Sequence, residues 1–398
     1  MPTSPPRLAV VTRSLGIPSE VWMERQALAL DGFATTLLGW ERHPEAAPPP
    51  PGLATAAIEG PFPAPRGLLA RGLRKAGRAG AYRISGAERA AIVRALDRAR
   101  PDIVLAQFGW SAIPLAQALP PDLPLVIHVH GRDASALMAE PAYRAALKQA
   151  LARAQGLVAV GAHQLERLAP LGLPPRVEVI PCGAPLALFA AGPLPAQPPA
   201  TAATPVRFVS VGRLSEEKGM RESLEAFARI LPDCPEAELV LIGFGPLFDP
   251  LSAEIRARGL QGRVRLTGRL APKAIAAELA QAHVYLQHSR RHRGWVEGFG
   301  VTLTEAGAAG LPLLASASGG LVDQMVEGEN GHLFAEGDVA GQAARMLALA
   351  RDPAARARMG ARARALAARF DSAAMAARLE AMLRELADSA RTGPVSQA

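Results

Sequence analysis

WVEGFGVTLTEAGAAGLPLLASASGG, running from Trp295 to Gly320, is the stretch around which the chain is organised. Gly298 and Gly300 flank Phe299 and mark a turn whose backbone can approach a ligand with no Cβ in the way. An apolar pattern of helical period begins near Val301, and Leu311 to Ala315 reads as a strand. The free N–H groups at the start of such a helix point back over the glycine turn, which suits an anion or a sugar hydroxyl. Glu297 stands before the turn. Glu305 lies one turn into the helix, deeper in the same cleft. The stretch suggests a site for an activated, phosphate-linked sugar.

Working outward, strands and helices alternate on both sides. Val206 to Val211, Leu239 to Ile242, Val264 to Leu266 and Val284 to Leu286 read as strands, and Glu222 to Leu231 as a helix. Gly212-Arg213-Leu214 and Gly243-Phe244-Gly245-Pro246 are turns after strands. Pro353 to Ala368 and Ala373 to Leu386 read as arginine-rich helices. Nearer the N-terminus, Leu8 to Thr12 and Phe33 to Leu38 are strands around a helix from Glu20 to about Leu30, with Ser19 as its cap. His43 to Pro65, rich in proline and alanine, is expected to be an exposed loop. A helix over Glu88 to Arg98 and strands at Asp102 to Ala106, Leu125 to Val129, Leu157 to Val160 and Val177 to Ile180 follow. This is an α/β chain of two doubly wound domains. Ala190 to Pro205 has no periodicity and many prolines, as a linker does. The expected division is a first domain over 1–190, a linker over 191–205, a second domain over 206–372, a helix over 373–390 and a disordered tail over 391–398.

A length of 398 residues fits two domains, and 49% hydrophobic with 20% charged residues is a globular composition. Uninterrupted apolar runs of about 18 residues, as a membrane-spanning helix needs, are absent from the sequence. MPTSPPRLAVVTR enters a strand pattern without a basic head and apolar core, so it does not read as a signal peptide. Two cysteines, Cys182 and Cys234, fit a reduced, cytoplasmic compartment. The net charge of +8 is local: ten basic residues from Arg66 to Arg100, among them Arg71, Arg74, Lys75 and Arg78, face only Glu88 and Asp97. Such a segment can rest on an anionic membrane or hold a phosphate-bearing acceptor, or be a solvated arginine-rich helix. Stacking aromatics are not interleaved with it, which argues against nucleic acid.

Three groups carry candidate chemistry. Arg213 brings a planar fork and Lys218 a point charge to the loop after a strand, where a diphosphate would bind, unless Glu216 and Glu217 neutralise them. Glu297 and Glu305 are either a hydrolase-type acid/base pair, surface carboxylates, or acceptors for sugar and ribose hydroxyls. His130, at a strand end in HVHGRD, can bond a sugar hydroxyl, with His128 competing for that role. Metal-ligand spacing, a phosphate-binding Walker loop and a dinucleotide GxGxxG are all missing.

Taken together, Val211-Gly212-Arg213-Leu214 with Lys218-Gly219, then Gly243-Phe244-Gly245-Pro246-Leu247, Glu297-Gly298-Phe299-Gly300 with Glu305-Ala306, and Gly319-Gly320 with Asp323 and Gly328-x-Asn330-Gly331 resemble a retaining family-4 glycosyltransferase of the GT-B fold. The resemblance covers Val206 to about Phe370. Ile17-Pro18-Ser19-Glu20, Ala106-Gln107-Phe108-Gly109, His130-Gly131-Arg132-Asp133 and Ile180-Pro181-Cys182-Gly183 more loosely resemble the exopolysaccharide, colanic-acid-type subgroup. The resemblance implies two Rossmann-like domains facing each other across a cleft, with the last helix crossing back onto the first. It implies retaining transfer of a hexose from a nucleotide diphosphate sugar, UDP or GDP ahead of ADP, to a glycan or lipid-linked acceptor. No cofactor or metal is implied, and the location is cytoplasmic, with peripheral contact at the inner face of the cell membrane.

Residue by residue, the resemblance gives Arg213 and Lys218 the donor diphosphate and Glu305 the ribose hydroxyls. Glu297, with the N–H groups of Gly298, Phe299 and Gly300, would hold the sugar and distal phosphate. His130 would contact the sugar near the reacting centre. His130, Arg213, Lys218 and Glu297 are thus the expected catalytic set. Gly16, Gly212, Gly243, Leu270 and Val301 complete the donor side, and Arg71, Arg74, Lys75 and Arg78 the acceptor or membrane side. Two departures fall in the first domain: Ala184-Pro185 follows Gly183 where the family has Val-Asp, and Gly16 stands alone where two glycines are common. A nucleotide-sugar 2-epimerase and a non-catalytic sugar-nucleotide-binding protein are the competing readings.

Overall fold

The computed structural model describes residues 4–17, 20–65, 67–190, 192 and 205–392, except the side chains of 67–69, 71 and 392. Ser19, most of the expected linker and the last six residues lie outside that range. The chain divides into two compact units, Met1–Cys182 with Ala373–Ala398, and Gly183–Ser372.

The first unit is built on seven parallel strands: β1 (Arg7–Leu15), β2 (Ala34–Arg42), β3 (Ala54–Ala57), β4 (Ile103–Gln107), β5 (Leu125–Val129), β6 (Gly156–Ala159) and β7 (Arg176–Val179). Their order is β3-β2-β1-β4-β5-β6-β7. IVLAQ and LVIHV, the central β4 and β5, are buried at every position, as strands covered on both faces must be. The sheet order reverses between β1 and β4. The C-terminal helix, Ser372–Thr392, closes one face of this sheet. Met375, Ala376, Leu379, Met382 and Leu383 recur at helical spacing and pack with Leu8, Val10, Ile103, Leu105, Val126 and Val158. Full burial of each large side chain among them is worth roughly 1.5–3 kcal/mol. Gly156 makes the close approach possible, since a Cβ there would stand 2.8 Å from Met382 Cε and 2.9 Å from Leu386 Cδ1.

The second unit has six parallel strands: β8 (Arg207–Val211), β9 (Glu238–Ile242), β10 (Val264–Leu266), β11 (Val284–Gln287), β12 (Leu313–Ser316) and β13 (Gly331–Phe334). Their order, β10-β9-β8-β11-β12-β13, reverses between β8 and β11. The arginine-rich helix Pro353–Ala367 is not simply solvated. Arg356 is fully buried and donates to the carbonyls of Leu349 and Ala350 at 2.7 and 2.9 Å, and Arg364 donates to Ala309 O at 3.0 Å. These arginines satisfy carbonyls that helix ends leave open.

Three expectations are corrected. The first unit ends at Cys182, not at 190, because the helix Leu186–Phe189 buries Phe189 in the second core, with Leu186 and Leu188 against it. Residues 43–65 are not wholly an exposed loop: β3 pairs with Thr36–Gly39, and Leu53, Ile58 and Phe62 are buried. ATAA is too short and too weakly apolar to signal a strand beside the prolines. The helix after β1 spans only Val21–Leu28 and has Glu20 at its N-cap, with no side-chain cap bond.

Candidate active site

The reversal between β8 and β11 leaves a crevice at the carboxyl ends of these strands, where ligands of open α/β sheets bind. Two loops flank it, 212–219 after β8 and 288–300 after β11. Glycines lock them together. Gly219 has φ +64°, and a Cβ there would overlap the His288 carbonyl; one on Gly243 would overlap the Gly212 carbonyl. Gly212 N donates to Ile242 O at 3.0 Å, which fixes the turn that carries Arg213.

Glu297 is 5% exposed and is the hub of the site. Its Oε2 accepts from Lys218 Nζ at 2.6 Å, Ser289 Oγ at 2.8 Å and Gln287 Nε2 at 3.3 Å. Oε1 takes no donor among the described residues. The Trp295 ring lies 5.0 Å from Lys218 Nζ and adds a cation–π contact. Arg213 is exposed, and among the described residues its guanidinium holds no ion pair. Glu216 does not neutralise either cation, because it pairs with Arg290 at 3.0 Å.

The glycine turn is braced from behind. A Cβ on Gly319 would overlap the Glu297 carbonyl and one on Gly320 the Gly298 carbonyl, so the Gly-Gly pair lets two backbones touch. Gly320 N donates to Glu297 O at 3.1 Å. Gln324 Nε2 donates to the carbonyls of Phe299 and Gly300, and its Oε1 accepts from Thr304 Oγ1 at 2.6 Å. Phe299 is buried against Phe370, ring centroids 5.3 Å apart. Gly300 takes φ +83° and caps the helix Val301–Ala308. The carbonyls of Glu297, Phe299 and Gly300 are thus spent on the protein. The N–H groups of Gly298, Phe299, Gly300 and Val301 meet no acceptor among the described residues. Four adjacent donors of this kind in a buried turn form a cradle for an anion.

Glu305 is half-buried one turn into that helix. Burial, with Glu305 and Glu297 adding negative charge, pushes the Tyr285 phenol up, so both carboxylates lie in reach of its field. Tyr285 OH donates to Thr302 Oγ1 at 2.8 Å and fixes the first turn of the helix against β11. Leu270 is half-buried against the second core.

Gly16 and His130 belong to the first unit. Gly16, at φ +69°, is needed where a side chain would overlap Ala46. His130 is 8% exposed at the end of β5; its Nε2 lies 2.7 Å from Gln107 Oε1 and its Nδ1 3.6 Å from Cys182 Sγ. Trp22 and Phe108 pack on its ring at 4.4 and 4.7 Å. Phe108 holds φ +69°, a conformation costly for a side chain of that size. Its competitor His128 is fully buried, held near a pKa of about 3 by desolvation, and so is neutral. Of the basic segment, Arg74 is tied to Glu140 at 2.7 Å, Lys75 and Arg78 are exposed, and the Arg71 side chain lies outside the described residues. Sequence reasoning passed over Gln287, Ser289 and Gln324. The polar run Gln287-His288-Ser289 at the end of an apolar strand was the available signal.

Two doubly wound parallel units define the GT-B class. The structure superposes on sucrose-phosphate synthase from Thermosynechococcus elongatus over 96% of this chain and 99% of that one, with TM-score 0.75 and 20% identity. It likewise matches Anabaena HepE, solved with UDP, over 96% and 100%, with TM-score 0.73 and 18% identity. Residues 26–188 match Glycosyltransferase Family 4 and residues 196–366 match Glycosyl transferases group 1. Glycogen synthase of Mycobacterium tuberculosis is 32% identical over 279 residues, 67% of this chain and 64% of that protein. The match therefore spans just under two thirds of that relative's length.

Proposed function

We propose that the protein transfers a hexose from a nucleotide diphosphate sugar to a carbohydrate or lipid-linked hydroxyl, with retention at the anomeric carbon, in polysaccharide or glycolipid synthesis. The observation that carries this reading is the turn 298–301, four backbone donors without an acceptor among the described residues, beside Glu297 with Oε1 unspent. A distal phosphate on those N–H groups would leave the attached sugar's hydroxyls facing the Glu297 carboxylate. Glu305, deeper on the same helix, would take the ribose. Arg213 and Lys218 would meet the charge that grows on the departing diphosphate, and that differential contact lowers the barrier. Lys218 would turn from Glu297 towards phosphate, or bridge the two. The leaving phosphate would take the acceptor's proton on the face it departs from, which is how configuration is retained without a dedicated base. A UDP or GDP donor is the reading we favour, and HepE, of the same fold, was solved with UDP.

The first unit would supply the acceptor side. None of the described helices is long and apolar enough to cross a membrane. Lys75, at the end of the helix Gly67–Lys75, and Arg78 just beyond it are exposed and would give peripheral contact with an anionic cytoplasmic membrane face.

The test is a panel of UDP-, GDP- and ADP-sugars. A donor at a hundredfold its Kd raises stability by about 2.7 kcal/mol, visible as a higher melting temperature. Mass analysis of that donor with the protein alone must show it unchanged, and with acceptor a glycosylated product. A changed sugar nucleotide without acceptor would instead indicate an epimerase.

A further inference from the structure

Four polar side chains of the first unit form a line: Gln26, Gln107, His130 and Cys182. Gln107 Nε2 donates to Gln26 Oε1 at 2.9 Å, His130 Nε2 meets Gln107 Oε1 at 2.7 Å, and Cys182 Sγ lies 3.6 Å from His130 Nδ1. Each contact fixes the next proton. Gln107 spends its amide hydrogens on Gln26, so an oxygen faces His130 and the imidazole hydrogen must be on Nε2. Nδ1 is then a lone pair, and its neighbour must donate. A thiol can do so, weakly. The protonation states agree: burial, helped by His128, drives the His130 ring towards neutrality, and burial pushes the Cys182 thiol up to about 12, so it keeps its proton. The rest of the residue is held equally firmly. His130 N donates to Asp133 Oδ1 at 3.1 Å, and its carbonyl accepts from Gln164 Nε2 at 2.6 Å.

We infer that Cys182 is a positioning residue for His130: its S–H occupies Nδ1 and keeps the imidazole proton on Nε2. His130 then offers one N–H and no base. Under the proposed function, that N–H would be the group offered to a sugar oxygen. The kinetic consequence rests on the proposed transferase function, whereas the hydrogen-bond line does not.

The test uses the full chain labelled with 15N, the His130 signals being identified by their loss in His130→Gln. At neutral pH the wild type is expected to carry its proton on Nε2, with Nδ1 shifted as an acceptor is. Cys182→Ser keeps that shift, and Cys182→Ala moves Nδ1 to the position of an unbonded nitrogen. With donor and acceptor, Cys182→Ala is expected to lower kcat roughly two- to tenfold, the worth of one weak hydrogen bond, with donor KM unchanged and Cys182→Ser restoring most of it. A proton on Nδ1 in the wild type overturns the inference, as does an Nδ1 signal indifferent to Cys182→Ala. If the NMR responses hold but no transfer is detected with any donor, the functional reading fails and the hydrogen-bond line stands. If transfer is detected and kcat ignores Cys182→Ala, the positioning role falls.

Discussion

Replacing Lys218 by Met should destabilise the second unit more than replacing Glu297 by Gln, and the two changes should not add. The Glu297 side chain is 6% exposed and that of Lys218 24%. Lys218→Met leaves a buried carboxylate with only the neutral donors Ser289 and Gln287. Losing one partner of a fully buried pair costs about 3–5 kcal/mol. Partial solvation of Lys218 reduces that to about 2–3 kcal/mol, the range of hydrogen bonds to charged groups. Glu297→Gln leaves an ammonium that can turn to water, at a cost of about 1 kcal/mol. In the double variant no charge is stranded, so its loss should fall short of the sum by about 1.5 kcal/mol, as coupled neighbours do. A unit of this size loses about 2–4 °C per kcal/mol. Lys218→Met should therefore lower the melting temperature of the second unit by roughly 4–12 °C. Scanning calorimetry on the four proteins measures this cycle. Equal single losses, or a double loss equal to their sum, would refute the reasoning.

Glu20 carries a pH dependence: burial, and then the charge of Asp133, raise its carboxyl from the ordinary 4.5 to about 7. A carboxyl raised on folding costs stability as pH climbs from the unfolded to the folded value, here by about 3 kcal/mol in all. Urea midpoints at pH 4.5 and 8 should show Glu20→Gln gaining on the wild type only at the higher pH. Gly320→Ala, whose Cβ would overlap the Gly298 carbonyl, should cost about 1–3 kcal/mol and shift the turn, read as lower stability with weaker nucleotide binding. Arg213→Ala should leave the melting temperature within about 1 °C, since the side chain is exposed and unpaired among the described residues, yet lower kcat at least tenfold, about 1.4 kcal/mol; turnover within threefold of wild type would remove Arg213 from the phosphate site.

Both sheets were legible because strands in each are unbroken apolar runs ended by glycine or a polar residue, as in IVLAQ and LVLIGFG. β13 and the helices Phe248–Ala257, Pro272–Ala280 and Val339–Arg351 were not read. GHLF is short, and its Gly331 matters through contact with Leu313, which no local pattern records. In the site, the turn 298–300 and its helix start at Val301 were readable from two glycines and a change of period. The pairing of Lys218 with Glu297 was not, because residues 79 apart in sequence meet only once β8 and β11 are neighbours. The bracing by Gln324 and the Gly319-Gly320 pair depends on backbone contacts in the same way. His130 was found as a strand-end histidine. Its partners Gln107 and Cys182 are ordinary residues whose role comes from placement alone.

The central claim is that the turn 298–301, with Arg213, Lys218, Glu297 and Glu305, is a nucleotide diphosphate site. Calorimetric titration of UDP and of GDP into the full chain tests it most directly. The account expects one of them to saturate a single site, and Arg213→Ala to weaken that binding tenfold or more without loss of fold. Failure of UDP, GDP and ADP alike to bind below about 1 mM, or unchanged affinity in Arg213→Ala, would contradict it.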